Sequence, residues 1–288
     1  MNVFRDLVQM PAAERSVAIG TFDGVHRGHR RVLDAAKAEG LRSTVVTFWP
    51  HPRTVLGNRV ELLTTLARRL ELLEEAGVDD VLVVTFDAEV ARLEPEAFAE
   101  SFLRRIGARV ITAGENFRYG RGARGSVSTL TKLGFDVRPV ALADGISSSA
   151  IRDLLHAGDV RGAATLLGRP AEVEGTVVLG DGRGGTLGFP TANLDVPPDL
   201  LVPAYGIYAG AALGHRAAVS IGVNPHYGGR ERRVEPFLLD YEGDLYGRRL
   251  VVELWERLRA ERAFPTEEAL VEQIAKDVEA TRAAVRPV

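Results

Sequence analysis

Between Ser16 and Val140 the chain alternates apolar, β-branched stretches with amphipathic ones, and after Gly168 that alternation stops. No other feature of the sequence restricts the fold as much. Ser16–Thr21, Ser43–Phe48, Val81–Phe86, Val110–Ala113 and Asp136–Val140 read as strands. His29–Glu39 reads as a helix stopped by Gly40, and Leu66, Leu70 and Leu73 share one helical face between the candidate cap Thr65 and Gly77. Pro95–Ile106 is a helix with proline in its first turn and Gly107 behind it, and a shorter helix ends near Gly134. Strand–helix–strand units close right-handed into a parallel sheet, whose ligands gather at the carboxyl ends of the strands.

Beyond Gly168, Glu172–Leu179, Gly206–Ala212, Ala217–Ile221, Val234–Leu239 and Leu250–Trp255 read as short strands separated by Gly, Pro and Asp turns. One helix, Thr266–Thr281, follows with an acidic first turn behind its threonine cap. The expected fold class is α/β: an N-terminal parallel-sheet, Rossmann-like domain over residues 1–168, then a small antiparallel β-barrel with a C-terminal helix over residues 169–288. A length of 288 residues suits two domains.

Composition narrows the chemistry. With no cysteine, thiol nucleophiles, disulfides, iron–sulfur clusters and Cys-based zinc sites are excluded. A net charge of −3 argues against a nucleic-acid coat. Met1–Met10 carries Arg5 and Asp6 and lacks a signal peptide's apolar core, and the longest uncharged run, Leu200–Gly214, is too short to span a bilayer. A cytoplasmic protein with no membrane partner is therefore expected, its oligomeric state left open. Of 36 basic residues all but Lys37, Lys132 and Lys276 are arginine, which genome composition alone could produce. The histidines say more: three of the six, His26, His29 and His51, fall in the first fifth of the chain.

Two of them belong to GTFDGVHRGH, residues 20–29, where a strand ends, a tight turn follows and a helix begins. Histidines three apart at a helix N-terminus can face one anion together with the backbone N–H groups there. Such a constellation suits the charge on a phosphoryl group under attack, though a polar turn can also carry solvated histidines. Gly24 and Gly28 leave room for a nucleotide against the backbone. Ser147–Ser149 before a helix make a cap and phosphate cradle, with Arg152 one turn in, free for phosphate or paired with Asp153.

GTFDGVHRGH resembles the HxGH signature of nucleotidylyltransferases, and FDGVHxGH is similar to that of bacterial FAD synthetases. TFWPHPR (47–53), LLTTLARRLELLEEAGVD (62–79), GENFRYGRGARG (114–125) and ISSSAIRDLLHAGDV (146–160) follow in that family's order. LGFPTANL (187–194), VEPFLLDYEGDLYG (234–247) and LRAERAF (258–264) resemble the riboflavin kinase module. Nearly the whole chain is thus similar to the bifunctional prokaryotic riboflavin kinase/FAD synthetase family.

The resemblance implies a two-step enzyme. Riboflavin and ATP would give FMN, and FMN with a second ATP would give FAD and pyrophosphate, each site needing Mg²⁺. His26 and His29 would act on the ATP phosphates and the adenylyl-transfer transition state, with Gly20, Phe22, Asp23, Gly24, Gly28, His51, Asn116, Ser148 and Arg152 binding nucleotide or pyrophosphate. His51 sits between two prolines, and a rigid turn could be its only purpose. In the second module Gly180, Gly182, Gly184 and Pro190 would cradle phosphate, and Thr191 and Asn193 would supply oxygens to Mg²⁺. Glu235 would take the proton of the ribityl hydroxyl, or else pair with Arg232 or Arg233. Arg259 and Phe264 would form part of the flavin side, packing being nearly as good a reason for Phe264.

Some residues depart from the family pattern: Thr21, Gly185, Tyr205 and His226-Tyr227, of which Gly185 could weaken phosphate binding. The GxGxxG matches at Gly120–Gly125 and Gly180–Gly185 lack the context of a dinucleotide fold, and no lysine follows a glycine as a P-loop requires. Two rival readings stand: a kinase whose other domain is inactive or differently specific, and a flavin-sensing regulator without turnover.

Overall fold

The computed structural model describes residues 1–141, 145–180, 189–223 and 232–287. The chain folds as two compact units, Met1–Ser148 and Ser149–Val288.

In the first unit, six strands form one parallel sheet: β1 (Asn2–Phe4), β2 (Arg15–Ile19), β3 (Arg42–Trp49), β4 (Asp80–Thr85), β5 (Ala108–Gly114) and β8 (Asp136–Val140). A two-residue hairpin, β6 (Arg118–Tyr119) with β7 (Gly125–Ser126), leaves the end of β5. The helices are α1 (Arg27–Lys37), α2 (Pro52–Val55), α3 (Leu66–Glu75), α4 (Ala88–Arg92), α5 (Pro95–Phe98) and α6 (Val127–Lys132). Helix α5 widens into a π-helical turn over Ala99–Arg104, so the expected single helix is two geometries in series. Helix α1 starts two residues before its expected start because His26 caps it, and β1, a three-residue edge strand, has too little pattern to be read from sequence.

The sheet order β1-β4-β3-β2-β5-β8 places the reversal of winding between β2 and β5. That is where an open parallel sheet leaves a crevice at its carboxyl edge. Successive residues of β2 feed opposite cores. Val17 and Ile19 pack with Phe98, Leu103 and Leu130, while Ala18 packs with Val32 and Leu33 of α1 and Leu72 and Leu73 of α3. The amino edge is closed by charge. Asp80, fully buried, accepts hydrogen bonds from Arg42 (2.8 Å) and Asn2 (3.0 Å) and pairs with buried Arg15 at 3.7 Å. Burial pushes Asp80 up, but these bonds and charges outweigh it and hold the carboxyl below its ordinary value.

One core group is badly placed. The Tyr119 hydroxyl is buried without a hydrogen-bond partner, and burial together with the charge of Glu96 pushes it up to about 12. Its ring packs at 5.5 Å from Phe98 and stacks on Phe117. Tyr119→Phe removes only an unsatisfied group, so it should leave stability unchanged or raise it by about 1 kcal/mol, read from the urea midpoint.

The second unit begins with α7 (Ser148–Ala157), whose first residue closes the first unit, and α8 (Val160–Leu167). An antiparallel sheet follows: β9 (Ala171–Val178), β10 (Asn193–Asp195), β11 (Gly206–Ala212), β12 (His215–Val223), β13 (Arg232–Leu238) and β14 (Arg249–Arg259), in the order β10-β9-β14-β11-β12-β13. The Ala192 amide donates to the Pro236 carbonyl at 2.9 Å, so the sheet nearly closes on itself as a barrel. Ala217, Val219 and Ile221 of β12 and Val234 and Leu238 of β13 fill its interior on alternate positions. Strand β14 runs four residues past its expected end. The C-terminal helix α9 (Glu267–Ala283), capped by Thr266, is tied to it by a bidentate Arg259–Asp277 pair at 2.7–3.1 Å.

Candidate active sites

The histidine loop leaves β2 at Gly20 and is strained. Phe22 (φ 51°) and Val25 (φ 38°) adopt a left-handed backbone beside Gly24 (φ 83°). A β-branched residue there costs about 1–3 kcal/mol, so the loop persists only where its surroundings hold it. Asp23 does the holding: its buried carboxylate accepts from the Leu63 amide (3.0 Å) and the Thr64 amide (3.2 Å). The Gly24 amide donates to Thr64 Oγ1 at 3.2 Å. Arg69 of α3, also fully buried, faces Asp23 at 3.5 Å and stands 5.7 Å from the Trp49 ring, with none of its guanidinium nitrogens in a hydrogen bond. Removing one member of such a pair strands the other charge. Arg69→Met should therefore cost about 3 kcal/mol, measured by denaturant unfolding.

The loop delivers the histidines to one spot. His26 is the N-cap of α1, its Nδ1 accepting from the His29 amide at 3.2 Å. That bond puts the His26 proton on Nε2. The two rings stack at 3.6 Å, and a Cβ on Gly28 would press on the His26 ring at 3.1 Å. Burial first, then the charges of His26 and Arg69, hold His29 well below its ordinary value of 6.5, so it is neutral at pH 7.

Both histidines line a cleft of about 530 Å³ at the carboxyl edge of the sheet. Of the other expected residues it gathers Gly20, Phe22, Gly28, Asn116 and Ser148. Asp23 and Gly24 do not line it, and they hold the loop from behind. Ser148 gives its hydroxyl proton to the Asp23 carbonyl at 3.0 Å, tying the start of α7 to the same loop. His51 is buried outside the lining and caps α2, Nδ1 accepting from the Arg53 amide at 3.2 Å. Arg152 lies one turn beyond Ser148 on α7. Ser147, expected with Ser148 in the phosphate cradle, lines the cleft too, as do Phe117, Arg118 and Arg53, which the sequence alone does not single out although each lies inside a segment that resembles the family.

In the second unit, Pro190 and Thr191 line a depression of about 420 Å³ with Tyr241, Asp244 and Tyr246. A Cβ on Gly180 would lie 2.0 Å from the Asn193 amide nitrogen, so this glycine makes room for the Asn193 side chain, which does not itself line the depression. Gly182, Gly184, Gly185, His226 and Tyr227 lie outside the described residues. Arg259 and Phe264 line a separate depression of about 580 Å³. A row of the ladder leads from this second depression to Glu235, which lines neither depression. Arg259 pairs with Ile207, Ile207 with Ser220, and Ser220 with Glu235, one row across four strands on one face. On that face Phe189 packs edge-on against Phe237 at 5.6 Å, bringing the segment before Thr191 to the strand of Glu235. The Glu235 carboxylate stands 3.6 Å from Arg233, and Arg259 is engaged by Asp277 while its guanidinium lies 5.6 Å from the Phe264 ring. Tyr205 lies under the Arg232 guanidinium at 5.9 Å.

Comparison with known proteins matches both units. The FAD synthetase family profile covers residues 9–148 and the riboflavin kinase profile residues 167–285. A bifunctional riboflavin kinase/FMN adenylyltransferase of Listeria monocytogenes is 36% identical over 93% of this chain and 91% of its own. That of Bacillus subtilis is 36% identical over 94% and 92%. A Streptococcus pneumoniae crystal structure named a macrolide-efflux protein superposes with a TM-score of 0.86 at 29% identity, covering 97% of this chain and 98% of its own. Among the described residues no helix is long and apolar enough to cross a membrane.

Proposed function

Because the chain belongs to the family of bifunctional riboflavin kinase/FMN adenylyltransferases, we propose that it converts riboflavin to FMN and FMN to FAD at two separate sites. The observation that carries the reading is the stacked histidine pair lining the cleft at the switch point of a parallel sheet, in a chain that also holds the PTAN segment against the strand of Glu235. We assign phosphoryl transfer to residues 169–288 and adenylyl transfer to residues 1–168.

In the kinase module, the ribityl hydroxyl oxygen attacks the γ-phosphorus of ATP while its proton passes to the Glu235 carboxylate. The bond from that phosphorus to the ADP oxygen breaks, and FMN and ADP leave. In the first module an FMN phosphate oxygen attacks the α-phosphorus of ATP and pyrophosphate departs. That nucleophile is already ionised, so no base is needed, and His26 and His29 donate to the charge gathering on the phosphoryl oxygens. Their fixed stack and the clamped loop supply this field without reorganisation.

Mg²⁺ fits the second module as a companion of ATP. Thr191 would offer a hydroxyl oxygen and Asn193 an amide oxygen, hard donors that suit a cation carried in with the triphosphate. When bound, the ion neutralises phosphate charge. Incubating the protein with riboflavin, ATP and Mg²⁺ and resolving flavins by chromatography should yield FMN, then FAD. Absence of FMN would remove the kinase assignment, and FMN without FAD would leave that half alone.

A further inference from the structure

We propose that Arg53 and Arg118 bind phosphate in the histidine cleft, Arg53 holding the acceptor's phosphate and Arg118 the departing pyrophosphate. The inference rests on the adenylyl-transfer reading and adds to it the residues that sort the two anions.

Both side chains are exposed and line the same cleft as His26 and His29. Among the described residues neither forms an ion pair, and the one side-chain bond seen is from Arg118 to the Phe117 carbonyl, 3.2 Å. Three arginines that do not line the cleft are engaged: Arg121 and Arg124 face Glu94 at 3.5 and 3.4 Å, and Arg69 faces Asp23. No Asp or Glu stands among the described lining residues. In a chain with 39 acids and 36 bases, a cleft with two arginines, two histidines and no carboxylate is built for an anion.

Topology separates the two arginines. Arg53 follows the carboxyl end of β3 and Arg118 follows that of β5, while β2, which carries the histidine loop, lies between those strands. Adjacent strands are about 4.8 Å apart, which sets the two arginine-bearing loops about 10 Å apart, one on each side of the histidines. Displacement at the α-phosphorus is in line, so the entering and leaving oxygens lie on opposite sides of the centre that the histidines address. Each arriving or departing group is a phosphate anion, and each side has one uncommitted guanidinium. Ser147 and Ser148 follow β8, the neighbour of β5, so Arg118 shares its side with Asn116 and the serines proposed for pyrophosphate. Arg53 is left with the acceptor, and the buried His51 cap fixes the turn that carries it.

The test is steady-state kinetics of purified full-length Arg53→Gln and Arg118→Gln. FAD formation is measured with FMN and ATP varied in turn, and the reverse reaction with FAD and pyrophosphate. Loss of a charge-assisted phosphate contact should raise KM about 10-fold to 100-fold. Arg53→Gln should raise KM for FMN by that factor and change KM for ATP and pyrophosphate less than twofold. Arg118→Gln should raise KM for pyrophosphate and ATP and spare that for FMN. Arg53→Lys should recover part of the loss, and thermal midpoints should match the parent. An unchanged KM for FMN in Arg53→Gln, equal rises in all three constants, or reversed assignments would overturn the proposal. If the parent protein itself forms no FAD, the adenylyl-transfer reading fails instead.

Discussion

His29→Ala should lower FAD formation by about 10²- to 10³-fold while riboflavin phosphorylation continues at the parent rate. His29 is the third residue of α1, its ring stacked on His26 at 3.6 Å and lining the cleft. Alanine removes a donor without touching the Asp23 clamp that holds the strained loop, so the fold should persist. A companion variant separates chemistry from capping. His26→Asn keeps a side chain able to accept from the His29 amide and so preserves the start of α1. It removes the imidazole and should still cost FAD formation about 10²-fold. A His26→Asn enzyme of parent activity would make that histidine a helix cap only. Loss of both reactions in a folded His29→Ala protein would refute two separate sites.

Glu235→Gln should do the reverse, reducing FMN formation from riboflavin by about 10²- to 10⁴-fold and leaving conversion of supplied FMN to FAD intact. The amide is nearly isosteric and can still bond to Arg233, but it cannot take a proton. The competing role is visible in the structure, since Arg233 stands 3.6 Å from the carboxylate with both side chains about a quarter exposed. A pair that open to water is worth about 0–1 kcal/mol. If ion pairing were its whole purpose, the variant would show a small shift in thermal midpoint and an unchanged kcat. A large fall in kcat at unchanged stability identifies the base.

Much of the site is legible in the sequence because its chemistry is local. His26 and His29 are three residues apart on one helix start, so their convergence follows from helical spacing. PTAN and Glu235 are legible as segments, but their meeting depends on a hydrogen bond from Ala192 to Pro236 across 44 residues and on the strand register that puts Glu235 opposite Ser220. Asp23 and His51 show the opposite limit. Both stand inside signature segments, where the resemblance implies nucleotide binding, yet the structure turns them to backbone amides of Leu63, Thr64 and Arg53. A motif marks the residues a site needs and does not distinguish those that touch the ligand from those that hold the backbone.

By itself, the sequence determined the two-part α/β and barrel architecture, the lack of thiol chemistry and the family, because periodicity, composition and short motifs are properties of contiguous residues. Only the tertiary structure decided that Arg69 is buried against Asp23, that Tyr119 hides a hydroxyl without a partner, and that Arg53 and Arg118 flank the histidines. Those facts depend on strand order. β3 and β5 stand on either side of β2 although some sixty residues separate them along the chain, and no local pattern records which strands become neighbours.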